Sequence, residues 1–232
     1  MMNGDDMTPI ARRNFLKRAG VAAGSAMLTP SLAAAGAEAP VPTPDQQPLL
    51  VNPEKPVPEN ITADEIRKLL KLEPNATCGF VRETYRSALQ IAPGGLPSPF
   101  EKGRPAGTAL YFMVTPDAPV KLHRIKNDQL YHYYLGDPIE VLLLHEGGTS
   151  ELVLVGPNIP GGELVQLFIP GGTFHTARVT GKARWFLGAS TEWPGVDPTQ
   201  DVEMGNIEKL AIEYPEAAAD LRTFPLPAKP KG

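Results

Sequence analysis

The sequence is poor in cysteine, and beyond residues 1–37 it lacks any cluster of basic residues. Cys78 is the one cysteine among 232 residues, so an internal disulfide cannot hold the fold together. Cys78 could be a nucleophile or a metal ligand, but a small core residue is favoured, because free cysteine is among the most buried residue types. The formal net charge is −4, which gives no electrostatic reason to bind nucleic acid.

The N-terminal region lacks a hydrophobic run long enough to span a membrane. The apolar stretch at 19–28, AGVAAGSAML, is shorter than the roughly 20 residues that a spanning helix needs. It follows the basic stretch RRNFLK at 12–17 and precedes small residues at 33–37, an order typical of an export signal. No cysteine lies near the cleavage zone, so we expect no lipid anchor and no stable membrane anchor.

The basic stretch resembles a twin-arginine signal through Arg12, Arg13, Phe15, Leu16 and Lys17. This resemblance implies a signal peptide over 1–37, recognition by the twin-arginine export machinery, and a periplasmic or secreted location after cleavage. A basic disordered tail is the alternative. Proline, with 26 residues in the chain, is dense over 38–60, which predicts an extended linker. The predicted domain covers 61–224, and a disordered tail is predicted over 225–232.

The predicted domain is all-β. A capping box, Thr62 with Glu65, begins a helix predicted from about 63 to 71. Short apolar runs separated by turn residues every 8–12 residues then predict a sandwich or barrel, and residues 206–222 predict short helices broken at Pro215. The predicted strands share apolar or alternating character, and they cover 80–87, 107–114, 120–125, 130–135, 139–144, 152–155, 165–169, 174–179 and 183–190.

Two segments carry the candidate chemistry. In 165–179, Pro170, Gly172 and His175 have the spacing Pro-x-Gly-x-x-His, which predicts a tight turn with the histidine early in the next strand. In 122–138, His123 ends one strand and Gln129 opens the next. Two histidines from separate hairpins can then converge inside one barrel, where they could bind a divalent metal or act as a general base and its partner.

These segments resemble the two motifs of the cupin superfamily. His123 and Gly136 match the first motif, and Pro170, Gly172 and His175 match the second. Three positions depart from the pattern: Ile125 replaces a histidine, Gln129 replaces a glutamate and Val179 replaces an asparagine. The resemblance implies a single-domain cupin-type jelly-roll barrel with a ligand inside, and the departures leave two of the four usual metal ligands.

The chain is more closely similar to a cupin branch labelled as a domain of unknown function. The resemblance covers about residues 63–222 and is carried by the block RETYRS at 82–87 and the HRI-containing block that begins at His123. The branch often has Glu-Gly-Gly where this chain has Thr77, Cys78 and Gly79. Because no reaction is attached to the branch and a fold does not fix a function, the resemblance implies a ligand but no substrate.

The candidate residues each have a structural alternative. The candidate catalytic residues are His123, His175 and Tyr131, and the candidate ligand-binding residues are Arg82, Tyr85, Arg86, Tyr111 and Gln129. An arginine in this strand region can grip a carboxylate or phosphate with two parallel hydrogen bonds, or belong to an edge-strand ion network. The tyrosines can stack on a sugar or supply an acid, but core packing is an equal alternative.

Three hypotheses on function remain open at this point. The first is a small-molecule-binding cupin, for a sugar-like ligand or a small acid, that works as a metal-independent isomerase or epimerase with a histidine base and a tyrosine acid. The second is a metal-dependent enzyme such as an oxygenase, with Fe, Mn or Zn at His123, Gln129 and His175. The third is a non-catalytic binding protein with a decayed site. We also expect a homodimer, since open strand edges invite pairing.

Overall fold

The computed structural model describes residues 61–182 and 184–224. The predicted signal peptide at 1–37, the linker at 38–60 and the tail at 225–232 lie outside the described residues. The described chain is a mostly β structure with short helices at both of its ends. The strands are β1 Glu73–Pro74, β2 Phe80–Arg86, β3 Gln90–Ile91, β4 Arg104–Pro105, β5 Thr108–Val114, β6 Val120–Ile125, β7 Asp128–Gly136, β8 Ile139–Leu144, β9 Ser150–Val155, β10 Gln166–Ile169, β11 Phe174–Val179, β12 Phe186–Trp193 and β13 Val202–Met204.

The first helix, α1, runs over Ala63–Leu70 and begins at the predicted capping box. The backbone N–H of Glu65 donates to Thr62 Oγ1 at 3.2 Å, and the backbone N–H of Thr62 donates to Glu65 Oε2 at 2.8 Å. The buried residue of this helix is Ile66, which packs with Trp185 and Leu187 on the outer face of one sheet. The predicted helix at 63–71 is therefore confirmed.

The strands form two main antiparallel sheets. The first has the order β1-β2-β5-β12-β7-β10, the second has the order β13-β6-β11-β8-β9, and β3 pairs with β4 alone. Side chains from the inner faces of the two main sheets form one apolar core, which includes Phe112, Val141, Ile169, Val179 and Phe186. This arrangement is the single-domain cupin-type jelly roll that the sequence predicts.

Helices at the C-terminal end cover the outer face of the second sheet. The helices after β12 are α2 Pro198–Asp201, α3 Ile207–Glu213 and α4 Ala218–Thr223, with a 3-10 turn at Pro215–Ala217 between the last two. It is α3, this turn and α4 that cover the sheet. Leu142 and Leu144 point outward to Leu210 and Tyr214, while Val141 and Leu143 point inward. Because both faces of β8 are covered, its sequence IEVLLL is almost wholly apolar. No helix within 61–182 and 184–224 is long and apolar enough to cross a membrane.

Candidate functional site

A cavity of about 110 Å³ lies between the two sheets, at the end of the barrel where β6 ends and β7 begins. A buried water occupies about 10–15 Å³ by a comparable measure, so the cavity has room for several waters or a small organic molecule. Its walls are apolar side chains of Val81, Leu110, Ile125 and Val202. Its polar lining comes mainly from Cys78, His123, Gln129, Tyr131, Ser190 and Glu192.

The turn between β10 and β11 brings the two predicted histidines together. Gly172 has φ +83°, a conformation that glycine adopts readily and other residues rarely adopt. Its backbone N–H donates to the carbonyl of Ile125 at 2.7 Å, which ties this turn to the end of β6. In the antiparallel pair of β11 and β6, His175 then lies opposite His123, with ring centroids 4.4 Å apart.

His175 is fully buried and forms a neutral pair with Tyr131. Its Nδ1 lies 3.1 Å from the carbonyl of Thr173, and because a carbonyl oxygen only accepts, Nδ1 carries the hydrogen. Nε2 therefore accepts from the hydroxyl of Tyr131 at 2.9 Å. Burial, and then the neighbouring His123, lower the pKa of His175 to about 3. His175 lies behind Tyr131 and is not among the residues that line the cavity.

His123 lines the cavity as a neutral hydrogen-bond acceptor. Its Nδ1 lies 2.7 Å from the carbonyl of Lys121, so Nδ1 carries the hydrogen and Nε2 keeps its lone pair. Burial lowers the pKa of His123 below the ordinary value. Within the described residues, no side chain or backbone group hydrogen-bonds to this Nε2, which is therefore the nitrogen available to a ligand.

Four further polar side chains at the cavity are linked by hydrogen bonds that end at Glu192. Gln129 Nε2 donates to Ser190 Oγ at 3.4 Å, and Ser190 Oγ donates to Glu192 Oε1 at 2.5 Å. Thr108 Oγ1 accepts from the backbone N–H of Val196 at 3.2 Å and donates to Glu192 Oε2 at 2.7 Å. Burial raises the pKa of Glu192 above its ordinary value. The Oε1 atom of Gln129 is buried without a hydrogen-bond partner.

Charged and sulfur groups complete the lining. At the mouth, Arg86 donates to both carboxylate oxygens of Glu83, at 2.9 and 2.5 Å, and also to the carbonyl of Val196 at 3.4 Å. Deeper in, burial raises the pKa of the Cys78 thiol to about 11. A thiol with this pKa is not a nucleophile at neutral pH, in agreement with the packing role favoured from the sequence.

Three predicted ligand-binding residues lie outside the cavity lining. Arg82 and Tyr111 are on the outer side of the first sheet, where Arg82 donates to the carbonyl of Leu70 at 3.2 Å and Tyr111 packs with the α1 cluster. Tyr85 is 55% exposed. A bulge between Glu83 and Tyr85 inserts one extra residue into β2, so the alternation that predicted Tyr85 on the face of Val81 and Glu83 breaks at that point.

Sequence reasoning missed the residues that surround Gln129. Thr108, Ser190 and Glu192 all line the cavity and come from β5 and β12, which lie outside the two cupin motifs. One signal was available: Ser190 and Glu192 are two residues apart in a strand, so both point to the same face. A glutamate on the buried face of an apolar strand requires partners, and this requirement alone could have marked it as a site residue.

The residues do not fit the predicted divalent metal site. His175 Nε2 already accepts from Tyr131, and Gln129 offers a neutral amide in place of a carboxylate. The described residues contain no group of three or more His, Cys, Asp or Glu side chains that could hold a metal ion. Of the two described histidines at this site, His123 alone has a ring nitrogen whose lone pair is free for a metal, and one imidazole does not make a metal site.

Two antiparallel sheets enclose a cavity that has apolar walls and a group of polar side chains. This arrangement defines the class of barrel that binds small molecules. The chain belongs to the cupin superfamily: residues 64–204 match the family described as Cupin superfamily (DUF985). This match confirms the family resemblance drawn from the sequence.

Similar proteins are found in distant organisms. The uncharacterized protein YML079W of Saccharomyces cerevisiae is 27% identical over 153 residues, which cover 62% of this chain and 76% of the yeast protein. A solved structure of a hypothetical protein from Leishmania major matches with a TM-score of 0.64 and 28% identity, over 71% of this chain and 98% of that one. Protein SO0799 from Shewanella oneidensis matches with a TM-score of 0.61 and 22% identity, over 74% of this chain and 100% of that one.

Proposed function

We propose that this cupin binds a small organic molecule in the cavity between its sheets and exchanges a proton with it through His123, without a metal. The observation that carries the proposal is the buried and unpartnered Oε1 of Gln129, which lies in the same cavity as His123, whose hydrogen bond to the described chain is made by Nδ1 and not by Nε2. A buried polar atom without a partner costs about 1–3 kcal/mol. A ligand that supplies donors recovers this energy.

The proposed chemistry is proton abstraction next to a carbonyl, as in a sugar isomerase or epimerase. His123 is neutral because burial lowers its pKa, so its Nε2 can take a proton from a ligand carbon. The electron pair moves to the carbonyl oxygen, and His123 gives the proton to that oxygen, so that a neutral enediol forms and His123 becomes neutral again. The hydroxyl of Tyr131 stays on His175 Nε2. Exchange of the enediol hydroxyl hydrogen with solvent, followed by the reverse transfers, returns a solvent hydrogen to the carbon.

The test measures deuterium incorporation into dihydroxyacetone or erythrulose in D2O. We expect the protein to accelerate exchange at the carbon next to the carbonyl, and His123→Asn to reduce this acceleration by about 100-fold or more, the usual contribution of a general base. His145→Asn is the matched control, because His145 pairs with Glu151 at the surface. Equal exchange by the His123→Asn variant, with an unchanged circular dichroism spectrum, would overturn the role of His123.

We also propose that the protein is exported. The support is the basic pair Arg12–Arg13, the apolar stretch at 19–28 and the small residues at 33–37. Fusion of residues 1–60 to a reporter that is active only after export tests this directly. Export of the natural fusion together with retention of the Arg12→Lys/Arg13→Lys fusion is the expected result. Export of both fusions would contradict the twin-arginine route.

A further inference from the structure

We propose that the cavity selects a neutral, polyhydroxylated ligand and rejects carboxylates and phosphates. The inference rests on the proposed function, since it names the class of ligand for the same cavity. The sequence left a sugar-like ligand and a small acid open, and the hydrogen-bonding groups of the cavity distinguish the two.

The inner end of the cavity offers acceptors. Gln129 directs its Nε2 donor to Ser190 and leaves Oε1 buried and unpartnered. His123 has its hydrogen on Nδ1, facing the carbonyl of Lys121, which leaves the lone pair of Nε2 for the cavity. An amide oxygen and a neutral imidazole nitrogen accept hydrogen bonds but cannot donate them. The complementary ligand groups are hydroxyls or amines.

The donors near these acceptors are already used. Ser190 and Thr108 each have one hydroxyl hydrogen, and both give it to Glu192. The hydroxyl of Tyr131 points to His175. A ligand carboxylate would therefore meet three acceptors, Gln129, His123 and Glu192, without a free hydroxyl donor from these residues.

The positive charge in the cavity lining is also already paired. Among the described residues that line the cavity, Arg86 is the one cation, and it is held by both carboxylate oxygens of Glu83 and by the carbonyl of Val196. The acidic side chains Glu83 and Glu192 outnumber Arg86 in the lining, so the lining offers an anion no net positive charge. An arginine site for phosphate or carboxylate would instead keep the guanidinium edge open.

The walls favour a neutral polyol over an ammonium ligand. Val81, Leu110, Ile125 and Val202 present carbon surface, which suits the C–H groups of a polyol, whereas burial of an ammonium group against such walls is costly. The volume of about 110 Å³ suits a short carbon chain. Hydroxyls at one end would reach Gln129 and His123 while the carbon skeleton lies against the walls.

Matched ligands that share a carbon skeleton provide the test. The thermal unfolding midpoint of the full chain is measured at pH 7.5 with erythritol, xylitol or D-xylose, with threonate or xylonate, and with the amines serinol and 2-aminoerythritol. A ligand that binds the folded state raises the midpoint, and the stabilisation grows with the logarithm of one plus the ratio of the free ligand concentration to Kd. We expect a concentration-dependent rise with a neutral polyol or sugar, and an apparent Kd at least 10-fold weaker for the matching acid and amine.

The Gln129→Met variant checks where the ligand binds. Methionine keeps the approximate length of the side chain but removes the amide oxygen, so we expect affinity for the polyol to fall at least fivefold. The control is Gln166→Met on β10, whose amide bonds to His132 outside the cavity. Tighter binding of an acid or an amine, or a Gln129→Met variant with unchanged affinity, would overturn the inference and leave the cavity as a binding site. No binding by any of the three classes would overturn the proposed function as well.

Discussion

The hydroxyl of Tyr131 is the group that distinguishes this site from a metal site built on two histidines. It donates to His175 Nε2 at 2.9 Å, the atom that would otherwise face the same space as His123. Tyr131 is 1% exposed and packs against Phe112 with ring centroids 4.7 Å apart, so it cannot leave without disturbing the core. The phenol thus occupies the lone pair of His175 Nε2 and leaves only His123, of the two histidines, to the cavity.

The first prediction removes this hydroxyl. Tyr131→Phe leaves His175 Nε2 buried without a donor, which we expect to lower the free energy of unfolding by about 1–3 kcal/mol, measured by urea unfolding at pH 7.5. Tyr133→Phe is the control, because Tyr133 donates to the carbonyl of Gly136 and is only partly buried. A Tyr131→Phe variant as stable as the natural protein would show that the Tyr131–His175 pair adds no stability.

The second prediction follows from the buried histidines. Their pKa values are lower in the folded state than the unfolded value of about 6.5. Below pH 6.5 the unfolded chain binds protons that the folded chain does not, so stability falls as the pH falls, whereas above pH 6.5 these groups contribute no pH dependence. Between pH 7 and 5.5 we expect a loss of about 1–2 kcal/mol.

Urea unfolding at several pH values measures this loss. His123→Asn removes one of the two buried histidines, so it should make stability less dependent on pH. A natural protein of constant stability from pH 7 to 5.5 would contradict neutral buried histidines.

At the scale of the elements, the segment from β12 to β13 forms one wall of the cavity and is held by a buried ion pair. Arg104 on β4 donates to Asp201 at 2.8 and 3.4 Å, and the exposed fractions of their side chains are 4% and 0%. The backbone N–H of Asp197 also donates to Asp201 at 2.8 Å. Asp201 therefore links α2 to β4 and keeps Val202 against the cavity.

The third prediction concerns this link. Asp201→Asn leaves the charge of Arg104 buried without a full counter-charge, which we expect to cost about 3–5 kcal/mol of unfolding free energy and to weaken ligand binding through the displaced wall. Glu203→Gln is the control, because Glu203 pairs with Arg124 at the surface, where an ion pair contributes about 0–1 kcal/mol. Equal stability of the two variants in urea would contradict a role for the buried pair.

The elements themselves were largely predictable, because period-2 alternation and turn residues are local. Strands β6, β8 and β11 match the predicted ranges, and the break at Pro215 is confirmed. The bulge in β2 was not predictable, since an extra residue leaves no compositional trace, and it moved Tyr85 away from the cavity. The contact of Gln129 with Ser190 and Glu192 depends on pairing of β7 with β12 across 60 residues of sequence, which alternation alone does not specify.

At the scale of the whole molecule, strand β10 is one of the two edge strands of the first sheet, opposite β1. The chain beside and along this edge exposes large apolar side chains: Val165 is 47% exposed, Phe168 is 53% exposed, and Tyr134 on the adjacent β7 is 46% exposed. An open edge with apolar neighbours invites association with another strand. We propose that a second copy of the chain covers this surface, which gives the homodimer expected from the sequence.

The last prediction tests this surface by the oligomeric state. Light scattering after size-exclusion chromatography at micromolar concentration should give the mass of a dimer for the natural chain and of a monomer for Phe168→Asp, because a carboxylate in the interface would be desolvated without a partner. Ile212→Asp is the matched control: Ile212 is 82% exposed on α3, on the helices that cover the other sheet, so the dimer should persist. A monomeric natural chain, or a Phe168→Asp variant that remains a dimer, would assign the apolar edge no part in self-association.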